Sequence, residues 1–168
     1  MHRGIYKKTG KEVAIKRVLE VEDLDTEKYY MREAEVMAKC NHPFVLGFTG
    51  LAKHESGLFL VTEYVNGGDL RQYVEDKMTD DHPWDNRVSI AIQMAQALDY
   101  LHDQCIVHRD VKTDNVLINE DGSRVWMCDF GLSRPMEHSK KKAHMTMCGT
   151  DMTMAVRAHE RMSCRAVC

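Results

Sequence analysis

Three short blocks in a fixed order constrain the fold of this chain more than any other feature of its sequence. The first is an apolar run at 13–16 that ends on Lys16, which is typical of a strand. The second runs from His108 to Asn115 and is rich in charge, and the third is Asp129 with the phenylalanine and glycine that follow it. Each block alone is a weak signal. The three blocks in this order and at this spacing form a highly specific sequence signal.

Apolar patterning around these blocks predicts a chain of two unlike halves. Strands are predicted at 2–6, 13–16, 44–51 and 58–64. A helix is predicted to follow the acidic stretch at 22–25 and to end before Pro43. The glycine pair in 66–68 then breaks the chain. The first half is therefore rich in strands, and a cleft where the halves meet, near 63–68, would be a natural ligand site.

The second half is predicted to be mainly helical. Asp69 is the expected N-cap of a short helix, and a longer helix follows Pro83. The steps of three and four along that longer helix predict one buried stripe, formed by Trp84, Val88, Ala91, Ala95, Leu98 and His102. Short strands are predicted at 106–107, 116–118 and 125–128. The last two are joined by a turn that contains Asp121 and Gly122.

Composition narrows the possible classes of protein. The 168 residues suit one domain, and a net charge of -3 predicts no binding to nucleic acid or to a membrane surface. No apolar stretch approaches the roughly 18 residues that span a bilayer, and the N-terminus lacks a signal-peptide core. The six cysteines are therefore expected to be reduced, in the cytosol or nucleus, and a cytoplasmic location is predicted. Cys148, His159, Cys164 and Cys168 fit no common zinc spacing.

The three blocks resemble the signature set of the eukaryotic protein kinases, and the resemblance runs from about Val13 to Asp151. It implies an α+β, bilobal fold with a small β-rich N-lobe and a partial, mainly α-helical C-lobe. Residues 1–63 would form the N-lobe, 63–68 the hinge and 69–151 the partial C-lobe.

The resemblance also implies a site for ATP and Mg²⁺, with a role for each matching residue. Lys16 would hold the phosphates of the nucleotide, and Glu33 on the following helix would hold Lys16. Glu35 would point to solvent instead. Asp110 would be the catalytic base, and Lys112 would lie beside the transferred phosphate.

The other matching residues would hold the metal and the adenine ring. Asn115 and Asp129 are oxygen donors, which suits magnesium. The adenine ring would be surrounded by Ala14 and Leu117 on its faces, by the hinge residues Glu63 and Val65 along its edge, and by Thr62 at the gatekeeper position.

Further residues match structural and regulatory positions of the family. Thr150 would lie near the catalytic aspartate and lysine. Arg109 would bind a phosphorylated residue in the loop after Gly131, with Thr146 as the first candidate and Ser139 as the second, which implies an upstream kinase. A stacked apolar spine would contain Met37, His108 and Phe130.

The predicted function is a protein serine/threonine kinase that transfers the γ-phosphate of ATP to a hydroxyl of a protein substrate. Lys112, two residues after the predicted base, is typical of serine/threonine kinases. The segments 108–115 and 145–151 resemble the tyrosine-kinase-like group, which includes LIM-kinase-like and mixed-lineage-like enzymes. The alternative is an inactive, pseudokinase-like fragment that binds nucleotide or a partner kinase.

The chain departs from the family pattern at both ends, and we expect a truncated domain. No G-x-G-x-x-G motif precedes Lys16, so the first strand and the glycine-rich loop are expected to be missing. The family's Ala-Pro-Glu does not follow Thr150. Residues 152–168 are instead rich in arginine, methionine and cysteine, which indicates a divergent tail from a frame change, a wrong splice junction or a premature end. Missing helices would leave apolar surface uncovered on the helix after Pro83.

Overall fold

A computed structural model describes residues 1–18, 24–55, 57–78, 83–135 and 150. Its secondary structure confirms the α+β prediction, with strands first and helices later. The first half contains β1 (His2–Tyr6), β2 (Lys11–Val18), α1 (Leu24–Lys39), β3 (Phe48–His54) and β4 (Gly57–Glu63). The second half contains α2 (Leu70–Lys77), α3 (Trp84–Asp103), β5 (Ile106–Val107), a 3₁₀ turn (Thr113–Asn115), β6 (Val116–Ile118), β7 (Val125–Met127) and β8 (Arg134–Pro135).

The first half is built on an antiparallel sheet with the strand order β1-β2-β4-β3. Its register sets Ala14 opposite Thr62 and Lys16 opposite Leu60. Directly opposed residues of an antiparallel pair project from the same face, so these four side chains share one face of the sheet. All four line the same cavity. The alternation along β2 therefore decides which residues can reach a ligand.

The strand predicted at 44–51 begins later than expected, since β3 covers Phe48–His54. Residues 44–46, which precede it, pair with β7. The amide of Leu46 donates to the carbonyl of Met127 at 2.9 Å, and the amide of Met127 donates to the carbonyl of Phe44 at 2.9 Å. An apolar run does not show which segment its backbone groups will pair with. The sequence therefore predicted one strand where the structure has a linker followed by a strand.

The hinge segment is tied to the second half of the chain through a close backbone approach at Gly67. A Cβ at this position would lie 2.4 Å from the backbone of Asn119, far inside normal contact. Next to it, the amide of Ile118 donates to the carbonyl of Gly68 at 3.0 Å. Asp69 then caps α2 as predicted, because its side chain accepts the Gln72 amide at 2.8 Å. Only glycine permits this approach, so Gly67 allows the hinge segment to lie directly against the backbone of Asn119.

One apolar core cluster joins the two halves. It combines Ala34, Val36 and Met37 from α1 with Leu60 from β4, and with Leu101 and Phe130 from the second half. A smaller cluster lies under α2 and the β6–β7 hairpin and is formed by Leu70, Tyr73, Ile90, Val116, Ile118 and Val125. Because the larger cluster spans both halves, the position of α1 is coupled to the residues that follow β7.

The face that α3 buries differs from the prediction. Ile90, Gln93, Ala97 and Leu101 are its buried residues. Trp84 is 71% exposed and Val88 is 40% exposed, so the predicted buried stripe is wrong among the described residues. Apolar residues occupy both sides of this 20-residue helix, and periodicity alone could not choose between them. Within the described ranges, no helix combines the length and apolar character needed to cross a bilayer.

Two substitutions on α3 test this assignment of faces. Leu101→Ala is expected to reduce the free energy of unfolding by about 2–5 kcal/mol, because Leu101 is fully buried and a cavity would remain. Val88→Ala is expected to cost well under about 1 kcal/mol, since its side chain is already partly in water. Urea or thermal unfolding of both variants measures the difference. A larger loss for Val88→Ala would contradict the observed packing.

Candidate active site

A cavity of 460 Å³ lies between the sheet, α1, the hinge segment and the start of β6. This volume falls in the range of small-molecule sites, about 300–1,000 Å³. Its walls include every residue that the sequence assigned to the nucleotide or the metal, namely Ala14, Lys16, Glu33, Thr62, Glu63, Val65, Asn115, Leu117 and Asp129. Residues that are up to 115 positions apart in the chain (129 minus 14) are therefore brought to one place.

Lys16 and Glu33 form an ion pair inside this cavity. Lys16 Nζ lies 3.8 Å from Glu33 Oε1, and the lysine side chain is 38% exposed while the glutamate is 2% exposed. Glu33 Oε2 is buried and has no hydrogen-bond partner among the described residues. Glu35, two residues further along α1, is exposed as predicted. The helix thus presents one carboxylate to the cavity and the other to solvent.

Burial raises the pKa of Glu33 above its ordinary value. The positive charge of Lys16 opposes this shift, and the negative charge of Asp129 adds to it. A buried carboxylate with one unpartnered oxygen is costly. The arrangement is therefore maintained by the surrounding fold and is more typical of a functional site than of a stabilising surface ion pair.

Asp110 lies at the centre of a hydrogen-bonded cluster. Its Oδ2 is 3.0 Å from Lys112 Nζ and accepts from Asn115 Nδ2 at 2.8 Å. Its Oδ1 accepts from the Thr150 hydroxyl at 2.6 Å. Lys112 also donates to the Thr150 oxygen at 3.0 Å. Thr150 therefore lies beside both the aspartate and the lysine, as its match to the kinase pattern predicted.

The charge state of Asp110 follows from these contacts. Partial burial would raise its pKa, but hydrogen bonds from Thr150, Lys112 and Asn115 together outweigh burial, so the pKa lies below its ordinary value. The carboxylate is therefore ionised at neutral pH. It has a cation and two neutral donors around it, which leaves it oriented and able to accept one further proton donor.

The orientation of Asn115 bears on metal binding. Its Nδ2 donates both to the side chain and to the backbone carbonyl of Asp110, at 2.8 and 2.9 Å. These bonds fix the amide so that Oδ1 is the atom available to a cation. Asp129, two residues after the end of β7, supplies a carboxylate to the same cavity. One amide oxygen and one carboxylate fit Mg²⁺, which takes its remaining ligands from water and phosphate.

The part of the chain that the structure describes contains no group of three or more His, Cys, Asp or Glu side chains placed to hold a metal by themselves. The predicted magnesium residues are thus a partial ligand set, suited to a metal that arrives with a phosphate. Cys148, His159, Cys164 and Cys168 lie outside the described residues, as do Ser139, Thr146 and the tail at 152–168.

Two residues beside the site have backbone angles that most residues other than glycine avoid. Arg109 has φ 70° and Asp129 has φ 61°. Left-handed angles at non-glycine residues cost free energy and cluster at functional sites. The Arg109 Nε donates to the carbonyl of Leu132 at 2.6 Å, which links the two strained segments.

His108 lies beside the Asp110 cluster and is hydrogen-bonded to it. Its Nε2 lies 3.0 Å from the Cys128 carbonyl, and its Nδ1 accepts from the Asp110 amide at 3.3 Å. The pair of contacts assigns a neutral ring with the proton on Nε2. The ring meets Phe130 edge to face at 5.1 Å between centroids, and Met37 belongs to the same core cluster as Phe130. The three predicted spine residues are all buried.

The buried ring of His108 predicts a pH dependence of stability. Burial lowers its pKa, although the Cys128 carbonyl and the charges of Asp129 and Asp110 oppose this shift. The unfolded chain, with a histidine pKa of about 6.5, then binds the proton more readily than the folded one. The folded chain therefore has its full stability at a pH above about 6.5, the pKa of histidine in the unfolded chain. The free energy of unfolding decreases as the pH falls from there toward the pKa of His108 in the folded chain.

Thermal unfolding between pH 7 and pH 5 measures this effect. The midpoint of wild type is expected to fall more steeply with acidification than that of His108→Phe, which keeps the aromatic contact but cannot be protonated. Parallel slopes for the two proteins would contradict the prediction.

Several lining residues were not found from the sequence. Leu46 and Leu60 contribute apolar walls, and Asp69 and Asp114 lie at the cavity edge. Alternation along β4 could have identified Leu60, since it lies two residues before Thr62. Cys128 also lines the cavity, and burial raises the pKa of its thiol to about 12, so it stays protonated.

Comparisons with known proteins agree with this geometry. A profile of the family described as "Protein kinase domain" matches residues 1–162. The chain is 46% identical over 149 residues to the "RasGEF domain-containing serine/threonine-protein kinase X" of Dictyostelium discoideum. It is 39% identical over 150 residues to the "Probable serine/threonine-protein kinase kinX" and 40% identical over 134 residues to the "Kinase and exchange factor for Rac A", both of the same organism.

The chain belongs to the protein kinase domain family. These alignments cover 89%, 87% and 80% of the chain. They cover only 15%, 13% and 10% of the relatives, in the same order. The chain thus spans about a tenth to a seventh of the length of the curated relatives it matches.

Proposed function

We propose that this chain carries the phosphate-transfer centre of an ATP- and Mg²⁺-dependent protein serine/threonine kinase. The observation that carries the proposal is the cluster around Asp110. An ionised carboxylate lies 3.0 Å from Lys112 and 2.8 Å from Asn115, and Asn115 also lines the cavity that holds the Lys16–Glu33 pair. Phosphate transfer depends mainly on positioning and charge neutralisation, and this cluster offers both.

The phosphate end of the cavity is defined by cations and metal ligands. Lys16 would bind phosphate oxygens. The ion pair with Glu33 would keep the ammonium group of Lys16 directed into the cavity. Asn115 and Asp129 would hold Mg²⁺, which would neutralise charge on the phosphates. Asp129 also accepts from the Gly131 amide at 3.4 Å, a contact that orients its carboxylate.

The proton of the acceptor hydroxyl would pass to Asp110. Its low pKa makes it a weak base, which suffices where the hydroxyl proton leaves late, as in a loose transition state. Lys112 would stabilise the transferred phosphate next to this base. Thr150 bonds to both side chains and so sets their separation.

The other end of the cavity fits an adenine ring. Ala14 and Leu117 are on its walls, and the hinge residues Glu63 and Val65 offer backbone groups along its edge. Thr62 is 7% exposed and donates to the Glu63 carbonyl at 3.2 Å. As a small gatekeeper it leaves space behind the ring.

The finer assignments are also proposals. The pattern at Lys112 and the names of two relatives, both serine/threonine-protein kinases, support serine or threonine as the acceptor. We place the chain in the tyrosine-kinase-like group on the sequence pattern at 108–115. We also propose the partial domain at 1–151, and an upstream kinase that acts on Thr146 or Ser139, with Arg109 as the phosphate-binding residue.

Transfer of labelled γ-phosphate from Mg-ATP to a peptide library tests the proposal. Each peptide in the library should contain only one kind of acceptor residue, which is serine, threonine or tyrosine. Label on the serine and threonine peptides is the expected result. Label on tyrosine alone would overturn the acceptor class. Nucleotide binding without any transfer would support the pseudokinase-like alternative.

A further inference from the structure

An exposed arginine on β1 lies on the same face of the sheet as the nucleotide cavity. Arg3 is directly opposite Ala14 in the β1–β2 register, and directly opposed residues share a face. Ala14 lines the cavity, and so does Met1, two residues before Arg3. Arg3 itself is not a lining residue. It therefore lies beside the cavity, at the end nearest the hinge.

Arg3 contacts both the hinge and β2. Its guanidinium carbon is 4.7 Å from the centre of the Tyr64 ring, which is the distance of a cation–π contact. Tyr64 follows Glu63 in the hinge and lines the cavity. The Nε of Arg3 donates to Glu12 Oε1 at 3.0 Å, and one of its terminal nitrogens bonds to the same oxygen. Glu12 therefore holds the Arg3 guanidinium in its position over the Tyr64 ring.

We propose that Arg3 is a positioning residue for the nucleotide, acting through Tyr64. It would fix the hinge against β1 and so define the purine end of the cavity. The inference rests on the proposed kinase function, because it assigns the purine to that end. The arrangement needs a guanidinium, because only a planar cation can lie over an aromatic ring and bond along its edge to a carboxylate.

An alternative role for Arg3, attraction of the phosphates, fits the geometry less well. The phosphates belong with Lys16, and Lys16 lies two residues beyond Ala14 on β2, farther from the hinge. The charge of Arg3 is also already paired with Glu12. The two roles make different predictions for ligands with and without phosphates.

Isothermal titration with adenosine and with Mg-ATP separates these roles. Arg3→Lys keeps the charge and loses the planar contact, whereas Arg3→Met loses both. Lys11→Met is the matched control, since Lys11 is an exposed cation on the same strand pair, opposite Tyr6. Both Arg3 variants are expected to weaken adenosine and Mg-ATP equally, by about two- to five-fold, as an exposed cation–π contact would give. Lys11→Met should leave both affinities unchanged.

Each other outcome counts against the inference. Unchanged adenosine affinity in Arg3→Lys would overturn it, and so would a loss confined to Mg-ATP in Arg3→Met, which would indicate a phosphate contact. Both results require a wild-type chain that binds nucleotide, so they leave the proposed function standing. A wild-type chain that binds neither ligand would overturn the proposed function and this inference together.

Discussion

Asp110→Asn is expected to lower the rate of phosphate transfer by about 10²- to 10⁴-fold, which is the usual contribution of a general base. The amide cannot accept the hydroxyl proton, and it also removes the negative partner of Lys112, 3.0 Å away. The Thr150 hydroxyl can still donate to the amide oxygen. The amide nitrogen then replaces the oxygen that accepts from Asn115 and faces the Lys112 ammonium, so these two contacts are lost together with the base.

Asp103→Asn is the matched control for this experiment. Asp103 is an exposed aspartate at the end of α3, so the substitution makes the same change of charge away from the cavity. Its transfer rate should equal that of wild type. The affinity for Mg-ATP should be nearly the same in Asp110→Asn as in wild type, because Asp110 does not line the cavity. Full transfer activity in Asp110→Asn would show that another group is the base.

Glu33→Gln is expected to lower kcat/KM by about 10- to 100-fold, because the neutral amide loses the ion pair with Lys16, whose Nζ lies 3.8 Å from Glu33 Oε1. The ammonium of Lys16 would no longer be held toward the phosphates. Stability should behave differently. Since burial raises the pKa of Glu33, the folded chain gains little from its charge, and the neutral amide should leave the unfolding midpoint equal or higher.

Glu35→Gln is the control on the same helix, because Glu35 is exposed and two residues from Glu33. Neither activity nor stability should change. The raised pKa of Glu33 also predicts that wild type loses nucleotide affinity under mildly acidic conditions, since Glu33 is protonated at a higher pH than an ordinary carboxyl group. Equal loss of activity and stability in Glu33→Gln would indicate a structural role alone.

The sequence predicted candidate groups for this site because such groups are carried by short, local motifs. The block from His108 to Asn115 forms a tight loop whose internal bonds, such as Asn115 to Asp110, join residues only five positions apart. The choice of Glu33 over Glu35 followed from helical spacing, and the structure places only Glu33 against Lys16. Local spacing determines such features, so no knowledge of distant partners was required.

Features that depend on distant partners could not be predicted. The buried face of α3 is selected by contact with β7 and β5, and the sequence pattern favoured a different face. The start of β3 was misplaced because Phe44 and Leu46 bond to Met127, about eighty residues later. Backbone hydrogen bonds and apolar packing choose among several compatible partners only once the chain is folded.

The sequence alone predicted the candidate groups for the chemistry, which are two lysines, one amide and three acidic side chains: Lys16, Lys112, Asn115, Glu33, Asp110 and Asp129. Only the tertiary structure decided their arrangement. It buried Glu33, lowered the pKa of Asp110 through Thr150, forty residues away, and brought Arg3 onto the hinge. The physical reason is that charge, burial and hydrogen bonding depend on distances between atoms, and spacing along the chain fixes those distances only within a single turn or loop.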